Sequence, residues 1–273
     1  MSLGIISFSD SKYFDNFRFF YSSLKEINPV PVCLFYSDLN EEQKNWCSSH
    51  KIESKKFDPT PLFPNSHKFW PRKVGWQTLA KPYCFLQSPF DQTFWMDSDM
   101  FVVRSLEGLF QRLEQGPVFS AETCCGDTYS YDFLDFLPAI THKLNQGINA
   151  GLIGLDSKRE IDELILYEWL NLINYFEHRD AKPKNFYDQI CLLYTLEKLD
   201  ISSKYVMDTL ISGQYNHSPH PRIKFKGDHL IDEVKQAYDH RLIHHNLYPH
   251  CLHFFDKGKM PQLCEKKFED VVF

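Results

Sequence analysis

Thr93-Phe94-Trp95-Met96-Asp97-Ser98-Asp99-Met100-Phe101-Val102-Val103 sets two carboxylates, one residue apart, inside a run that is otherwise almost wholly apolar. The apolar residues on either side read as strands at 93–96 and 101–103, and burying two unpaired carboxylates between them is costly. Two arrangements relieve the conflict. Either the triplet is an exposed turn with solvated aspartates, or a hard divalent cation bridging a diphosphate neutralises both side chains at a strand end, where open α/β sheets bind ligands. The triplet alone does not choose between them.

Outward from this stretch, strands alternate with helices. Residues 4–9 read as a buried strand, 14–27 as a helix and 30–36 as a second strand, a βαβ opening. A helix at 40–50 is followed by a proline-rich passage (Pro59, Pro61, Pro64, Pro71) and a helix at 74–86. Strands are expected at 117–121, 148–155 and 251–255, and helices at 159–176 and 188–199, where apolar residues recur at three- and four-residue spacings. The pattern predicts an α/β fold, a mixed, mostly parallel central sheet flanked by helices. With no repeat or linker to divide it, residues 1–273 read as one domain, about 1–110 carrying nucleotide-binding character and about 111–273 the other wall of a cleft.

Bulk properties narrow the function classes. A chain of 273 residues buries most of its apolar surface, so a sizeable core is expected. The net charge of −6 gives no general attraction to nucleic acid, and no local basic patch offsets it. No run of about 18 apolar residues suggests a membrane span, so a cytoplasmic protein is expected, with peripheral membrane association compatible. The cysteines at 33, 47, 84, 124, 125, 191, 251 and 264 form no CxxC pair and read as reduced, mostly buried thiols.

The text around the carboxylate pair is more specific than the pair. Thr78-Leu79-Ala80-Lys81-Pro82-Tyr83-Cys84-Phe85 leads through Ser88-Pro89-Phe90-Asp91 into the strand, and Ser105-Leu106-Glu107-Gly108-Leu109-Phe110 follows it. This passage resembles family 8 of the glycosyltransferases, the glycogenin-like and lipooligosaccharide galactosyltransferase group. There a basic helix, a turn, an apolar strand, DxD and an L-x-x-LF segment come at this spacing. The resemblance runs without a gap over 78–110 and implies a GT-A fold.

Four further places are similar to the family. Asp10-Ser11-Lys12-Tyr13 follows the first strand, where a family tyrosine packs on the nucleotide base. Gln146-Gly147-Ile148-Asn149-Ala150-Gly151 resembles the strand whose Asn bonds the donor sugar and whose Gly permits close approach, with Ile148 replacing the usual aromatic. A buried Asn needs a partner, either the sugar or a local backbone group, and the sugar is the favoured reading. Tyr187-Asp188-Gln189-Ile190 resembles the pair at the reacting face, although Asp188 alone also suits an ordinary helix N-terminus. His253-Phe254-Phe255-Asp256-Lys257-Gly258-Lys259-Met260-Pro261 resembles the closing motif and keeps its six-residue His-to-Lys interval, but Asp256 stands for a Gly and Met260 separates Lys259 from Pro261.

The resemblance implies a site. Asp97, Asp99 and His253 would bind Mn²⁺ or Mg²⁺; Ser7, Tyr13, Lys81, Ser98, Asn149, Gly151 and Lys259 would hold the donor; Asp188 and Gln189 would stand at the reacting centre. The implied activity is transfer of a hexose from a nucleotide-diphosphate sugar, a UDP-sugar favoured, to a hydroxyl of a carbohydrate, lipid-linked or protein acceptor, with retention of configuration. A mannosyltransferase using GDP-mannose on the same fold, and a catalytically silent nucleotide-sugar-binding module, remain as alternatives. A zinc site built on His244, His245 and His250 lacks Cys partners at ligand spacing and leaves the carboxylate pair unexplained. A haloacid-dehalogenase-type phosphatase expects Thr or Val after the second Asp and a late Asp-Asp; Met100 follows Asp99, and no Asp-Asp occurs. Glu122 and the aromatic segment 124–143 are candidates for the acceptor side.

Overall fold

The computed structural model describes residues 2–57, 80–102, 104–122, 147–177, 187–201, 205–207, 210–213 and 251–254. In chain order the elements are β1 (Leu3–Ser9), α1 (Phe14–Ile27), β2 (Val32–Tyr36), α2 (Glu41–Ser49), β3 (Glu53–Lys56), α3 (Lys81–Leu86), β4 (Gln92–Met96), β5 (Met100–Val102), α4 (Glu107–Gln115), β6 (Val118–Glu122), β7 (Gly147–Asp156), α5 (Glu160–Glu177), α6 (Tyr187–Lys198), β8 (Val206–Met207), β9 (Leu210–Gly213) and β10 (Cys251–Phe254). The main sheet has the order β3-β2-β1-β4-β7-β6-β8, and a second, three-stranded sheet has the order β5-β10-β9. Within the main sheet β7 alone runs against its neighbours, so the sheet is mixed and mostly parallel.

The inner strands β1, β2 and β4 are largely apolar because both faces of the sheet are covered there. Along β1, Ile5 enters one core with Phe17, Phe20, Leu24, Phe94 and Met96, while Ile6 enters the other with Phe35, Trp95, Ile153 and Trp169. Helix α1 presents Phe14, Phe17, Phe20, Tyr21 and Leu24 to the first core at helical spacing. Its start takes no side-chain cap from Tyr13; instead the Tyr13 amide donates to Asp10 Oδ1 at 2.8 Å. Helix α2 opens on a capping box, Asn40 Oδ1 accepting from Gln43 N at 2.9 Å and Gln43 Oε1 from Asn40 N at 3.0 Å.

Three features were not expected from sequence. Strand β3 reads Glu-Ser-Lys-Lys, a charged edge strand without an apolar face. Helix α4 buries only Leu109 and Leu113. Strands β8 and β9 gain their identity from pairing with β6 and β10, not from any local pattern. Of the helix expected at 74–86, the described part is Lys81–Leu86.

The chain changes sheets at the carboxylate pair. Asp97 N still donates to Gly151 O of β7 at 2.9 Å, then Met100 N closes the turn onto Asp97 O at 3.2 Å and β5 departs into the small sheet. There β10 runs antiparallel to β5 with His253 opposite Met100. Strand pairing thus delivers a residue 154 positions away to the edge of the turn. A second irregularity faces it: the β6–β7 register passes from Phe119↔Ile153 to Ser120↔Asn149, releasing Ala150, Gly151 and Leu152 from β6.

Candidate active site

The parallel strands β1 and β4 end at the edge where this turn and the released β7 segment meet. Asp97 Oδ2, Asp99 Oδ1 and His253 Nε2 come together there. The imidazole nitrogen lies 3.1 Å from Asp99 and 3.5 Å from Asp97, and one ligand atom from each residue falls within 4.8 Å of the other two. Asp99 and His253 are buried and Asp97 half-buried. Burial disfavours the charged imidazole, but Asp99 and then Asp97 beside it outweigh that and raise the His253 pKa above its ordinary value.

Lys81, at the start of α3, is the buried cation of the group. Its Nζ lies 2.8 Å from Asp188 Oδ2, 3.2 Å from Asp97 Oδ1 and 3.0 Å from the Ala150 carbonyl that the β7 irregularity turns inward. Burial alone would lower its pKa, yet Asp188 and Asp97 reverse the effect and hold the ammonium above its ordinary range. Lys81 thus faces two carboxylates, Asp97 and Asp188, while Asp99 faces His253, so the group holds three carboxylates and one ammonium, an excess of two negative charges when the imidazole is neutral. Two carboxylates and an imidazole beside that negative excess form a donor set able to hold a metal ion.

The remaining expected residues fall as follows. Gln189 Oε1 accepts from Ala150 N at 3.1 Å, and Asn149 Oδ1 from Gly151 N at 2.8 Å, so a local backbone group occupies the oxygen for which the sugar was the favoured partner. A Cβ on Gly151 would lie 2.6 Å from Met100 Cε and 2.8 Å from His253 Cε1, so only glycine lets β7 approach this closely. Ser98 is half-buried at the tip of the turn. Ser7 is fully buried in β1, and its Oγ has no hydrogen-bond partner among the described residues.

Tyr13 is half-buried in the loop after β1, with Lys12 Nζ 5.2 Å from its ring centroid. That loop is tied to the end of β2: Ser11 N and Oγ donate to Asp38 at 2.9 and 3.0 Å, and the amide bond holds the Asp38 carboxyl below its usual range. Lys259 and the segment 124–143 lie outside the described residues, as does the His244, His245 and His250 group, and the Glu122 side chain is not described. Cys33, Cys47, Cys84, Cys191 and Cys251 are free and buried; burial pushes the Cys33 thiol up to about 12 and Cys47 to about 11, which removes them as nucleophiles.

Two residues of the site had no role in the sequence reading. Trp95 Nε1 donates to Asp97 Oδ1 at 2.6 Å, and Trp169 Nε1 to the Asp188 carbonyl at 3.0 Å. The first had a legible signal, since residues two apart on a strand share a face. The second reaches across from α5 and had none.

No family model matches the sequence, and no curated protein sequence matches it. Solved structures do match in shape. The LgtC galactosyltransferase, determined with donor and acceptor sugar analogues, superposes with a TM-score of 0.59 over 97% of this chain and 96% of its own, at 12% identity. Mouse xyloside xylosyltransferase 1 gives 0.53 over 93% and 97% at 11% identity, and the glycosyltransferase GlyE of Streptococcus pneumoniae 0.51 over 93% and 54% at 18% identity. The fold is the GT-A glycosyltransferase fold. Within this GT-A scaffold the buried acidic group stands at the strand ends, the place where open α/β sheets take ligands. Among the described residues no helix is long and apolar enough to cross a membrane.

Proposed function

We propose that this chain is a metal-dependent glycosyltransferase that moves a hexose from a nucleotide-diphosphate sugar, a UDP-sugar in the first instance, to an acceptor hydroxyl with retention of configuration. The observation that carries the proposal is the convergence of Asp97 and Asp99 from the turn after β4 with His253 from β10, Lys81 joining Asp97 to Asp188 and Gln189 bonding Ala150 beside them. Residues this far apart in sequence are not gathered by local folding needs. In this reading the part up to about residue 110 holds the nucleotide and the remainder the sugar and acceptor.

Asp97, Asp99 and His253 would hold a divalent cation, which would supply positive charge for the diphosphate leaving group. The chain's own residues do the positioning. Lys81 holds Asp97 and Asp188 in a single ion-paired group, so that the phosphate end and the sugar end of the site keep a fixed relation. Asp188, fastened at its carbonyl by Trp169, offers a carboxylate to sugar hydroxyls. Gln189 has its oxygen committed to Ala150 N, so it offers the sugar an NH₂ donor and not a nucleophile. Retention then follows from approach of the acceptor on the leaving-group side: its oxygen bonds the anomeric carbon as the bond to the diphosphate oxygen breaks, and its proton passes to that oxygen. Ser7, Tyr13, Ser98, Asn149, Gly151 and Lys259 complete the donor contacts.

The test is turnover of a panel of UDP- and GDP-sugars with Mn²⁺. Asp97→Ala and Asp99→Ala should each lower turnover at least a hundredfold, a loss of several kcal/mol of electrostatic stabilisation, with the circular dichroism spectrum unchanged. Retained activity in either variant refutes the roles assigned. Turnover of GDP-mannose alone redirects the donor assignment, and Mn²⁺-dependent nucleotide binding without turnover of any donor identifies a silent binding module.

A further inference from the structure

Asp97 has two carboxylate oxygens, and the ion needs one of them on the side of Asp99 and His253. Lys81 does not choose: its Nζ lies 3.2 Å from Oδ1 and 3.3 Å from Oδ2. The Trp95 indole does choose, donating to Oδ1 at 2.6 Å, while Oδ2 is the oxygen 3.5 Å from His253 Nε2. Trp95 is 2% exposed, with its ring in the core beside Ile6, Tyr83 and Ile153, so its N–H is fixed by packing.

We infer that Trp95 is a positioning residue for the metal site: its indole N–H occupies Asp97 Oδ1 and turns Oδ2 toward the ion shared with Asp99 and His253. This rests on the metal-site reading above and adds to it a selector within the strand itself. An indole nitrogen is a donor only, so it cannot compete for the cation, and its bond is to a half-buried carboxylate, a charge-assisted bond stronger than a neutral one. The W-x-D spacing places donor and acceptor on one face of β4, the indole toward the core and the carboxylate at the strand end. Without the N–H, Asp97 Oδ1 keeps, among the described residues, the Lys81 ammonium, which bridges both oxygens and also attends to Asp188. Loss of such an outer hydrogen bond to a ligand characteristically weakens metal binding about tenfold to a hundredfold.

The competing account is that the N–H merely satisfies a buried donor, in which case removing its partner bond changes stability and nothing else. The two are separated by titrating Mn²⁺ alone into the full chain and following free Mn²⁺ by electron paramagnetic resonance. The proteins compared are wild type, Asp99→Ala, Trp95→Phe and a form carrying benzothienylalanine at position 95, which keeps the ring shape and deletes only the N–H. The expected result is a Mn²⁺ dissociation constant raised about tenfold or more in both position-95 forms, with the benzothienyl protein melting within a few degrees of wild type. Wild-type or tighter affinity in the benzothienyl protein, alongside lost binding in Asp99→Ala, overturns the role of Trp95 and leaves the metal site standing. Failure of wild type itself to bind Mn²⁺ overturns both.

Discussion

Strand β7 runs between two buried acidic clusters, and they are built in opposite ways. At one end Asp156 and Asp162 are drawn from seven consecutive residues. Asp156 accepts from Lys158 N at 2.9 Å and Gln92 Nε2 at 3.2 Å, while Asp162 accepts from Asp156 N at 2.6 Å and Arg159 Nη1 at 3.1 Å. Their partners are chiefly backbone amides of the turn into α5 and an arginine three residues away; Arg159 also donates to the Leu113 carbonyl. This end fastens a turn and the first turn of a helix. At the other end Asp97 and Asp99 of one turn meet Lys81 of α3, Asp188 of α6 and His253 of β10, four places in the chain, and their partners are mainly side chains. Locally assembled charge at one end holds the chain in place, whereas charge collected from distant elements has no such need to meet.

The comparison can be broken by removing charge at each end. Lys81→Ala leaves the buried Asp188 and the half-buried Asp97 without their cation and should cost about 3 kcal/mol by urea denaturation at neutral pH. Added Mn²⁺ should restore part of that loss. A cost below about 1 kcal/mol would mean that the two carboxylates are not held by Lys81 in solution. At the far end the effect is smaller and of opposite sign. Burial, outweighing the Asp156 amide and Arg159, pushes the Asp162 carboxyl up to about 6. Because this lies above the unfolded value, its contribution to stability is full below about pH 4 and is lost as pH rises through about 6. The stability of Asp162→Asn relative to wild type should therefore rise by about 2 kcal/mol between pH 4 and pH 7, with donor turnover unchanged. A stability difference that stays the same at both pH values would show that the carboxyl is not destabilised by its burial.

Sequence and structure agree where a hydrophobic period decides the element. The α1 stripe of Phe14, Phe17, Phe20, Tyr21 and Leu24 and the apolar runs of β1, β2 and β4 needed no partner to be read. Strand β3 was hidden because an edge strand has no reason to be apolar, and β8 and β9 because a strand of two or four residues exists only through its neighbour. That β5 and β10 leave the main sheet, and that β7 breaks register at Asn149, are facts of pairing that no local pattern carries. The site divides the same way. Asp97 and Asp99 were visible as charges in an apolar run, and His253, Asp188, Gln189 and Asn149 through resemblance to a family. The Lys81–Asp188 ion pair and the Trp169 bond to Asp188 join segments more than fifteen residues apart, and only the folded chain brings them together.

The central claim is that the collected end of β7 binds a nucleotide diphosphate through a divalent cation. It is tested most directly by thermal unfolding of wild type and Asp99→Ala with uridine and guanosine diphosphates, each with and without Mn²⁺. The account predicts stabilisation of wild type by one nucleotide only when Mn²⁺ is present, approaching about 2.7 kcal/mol at a hundredfold excess over the dissociation constant, and none in Asp99→Ala. Equal stabilisation without the metal, or an undiminished shift in Asp99→Ala, would contradict it.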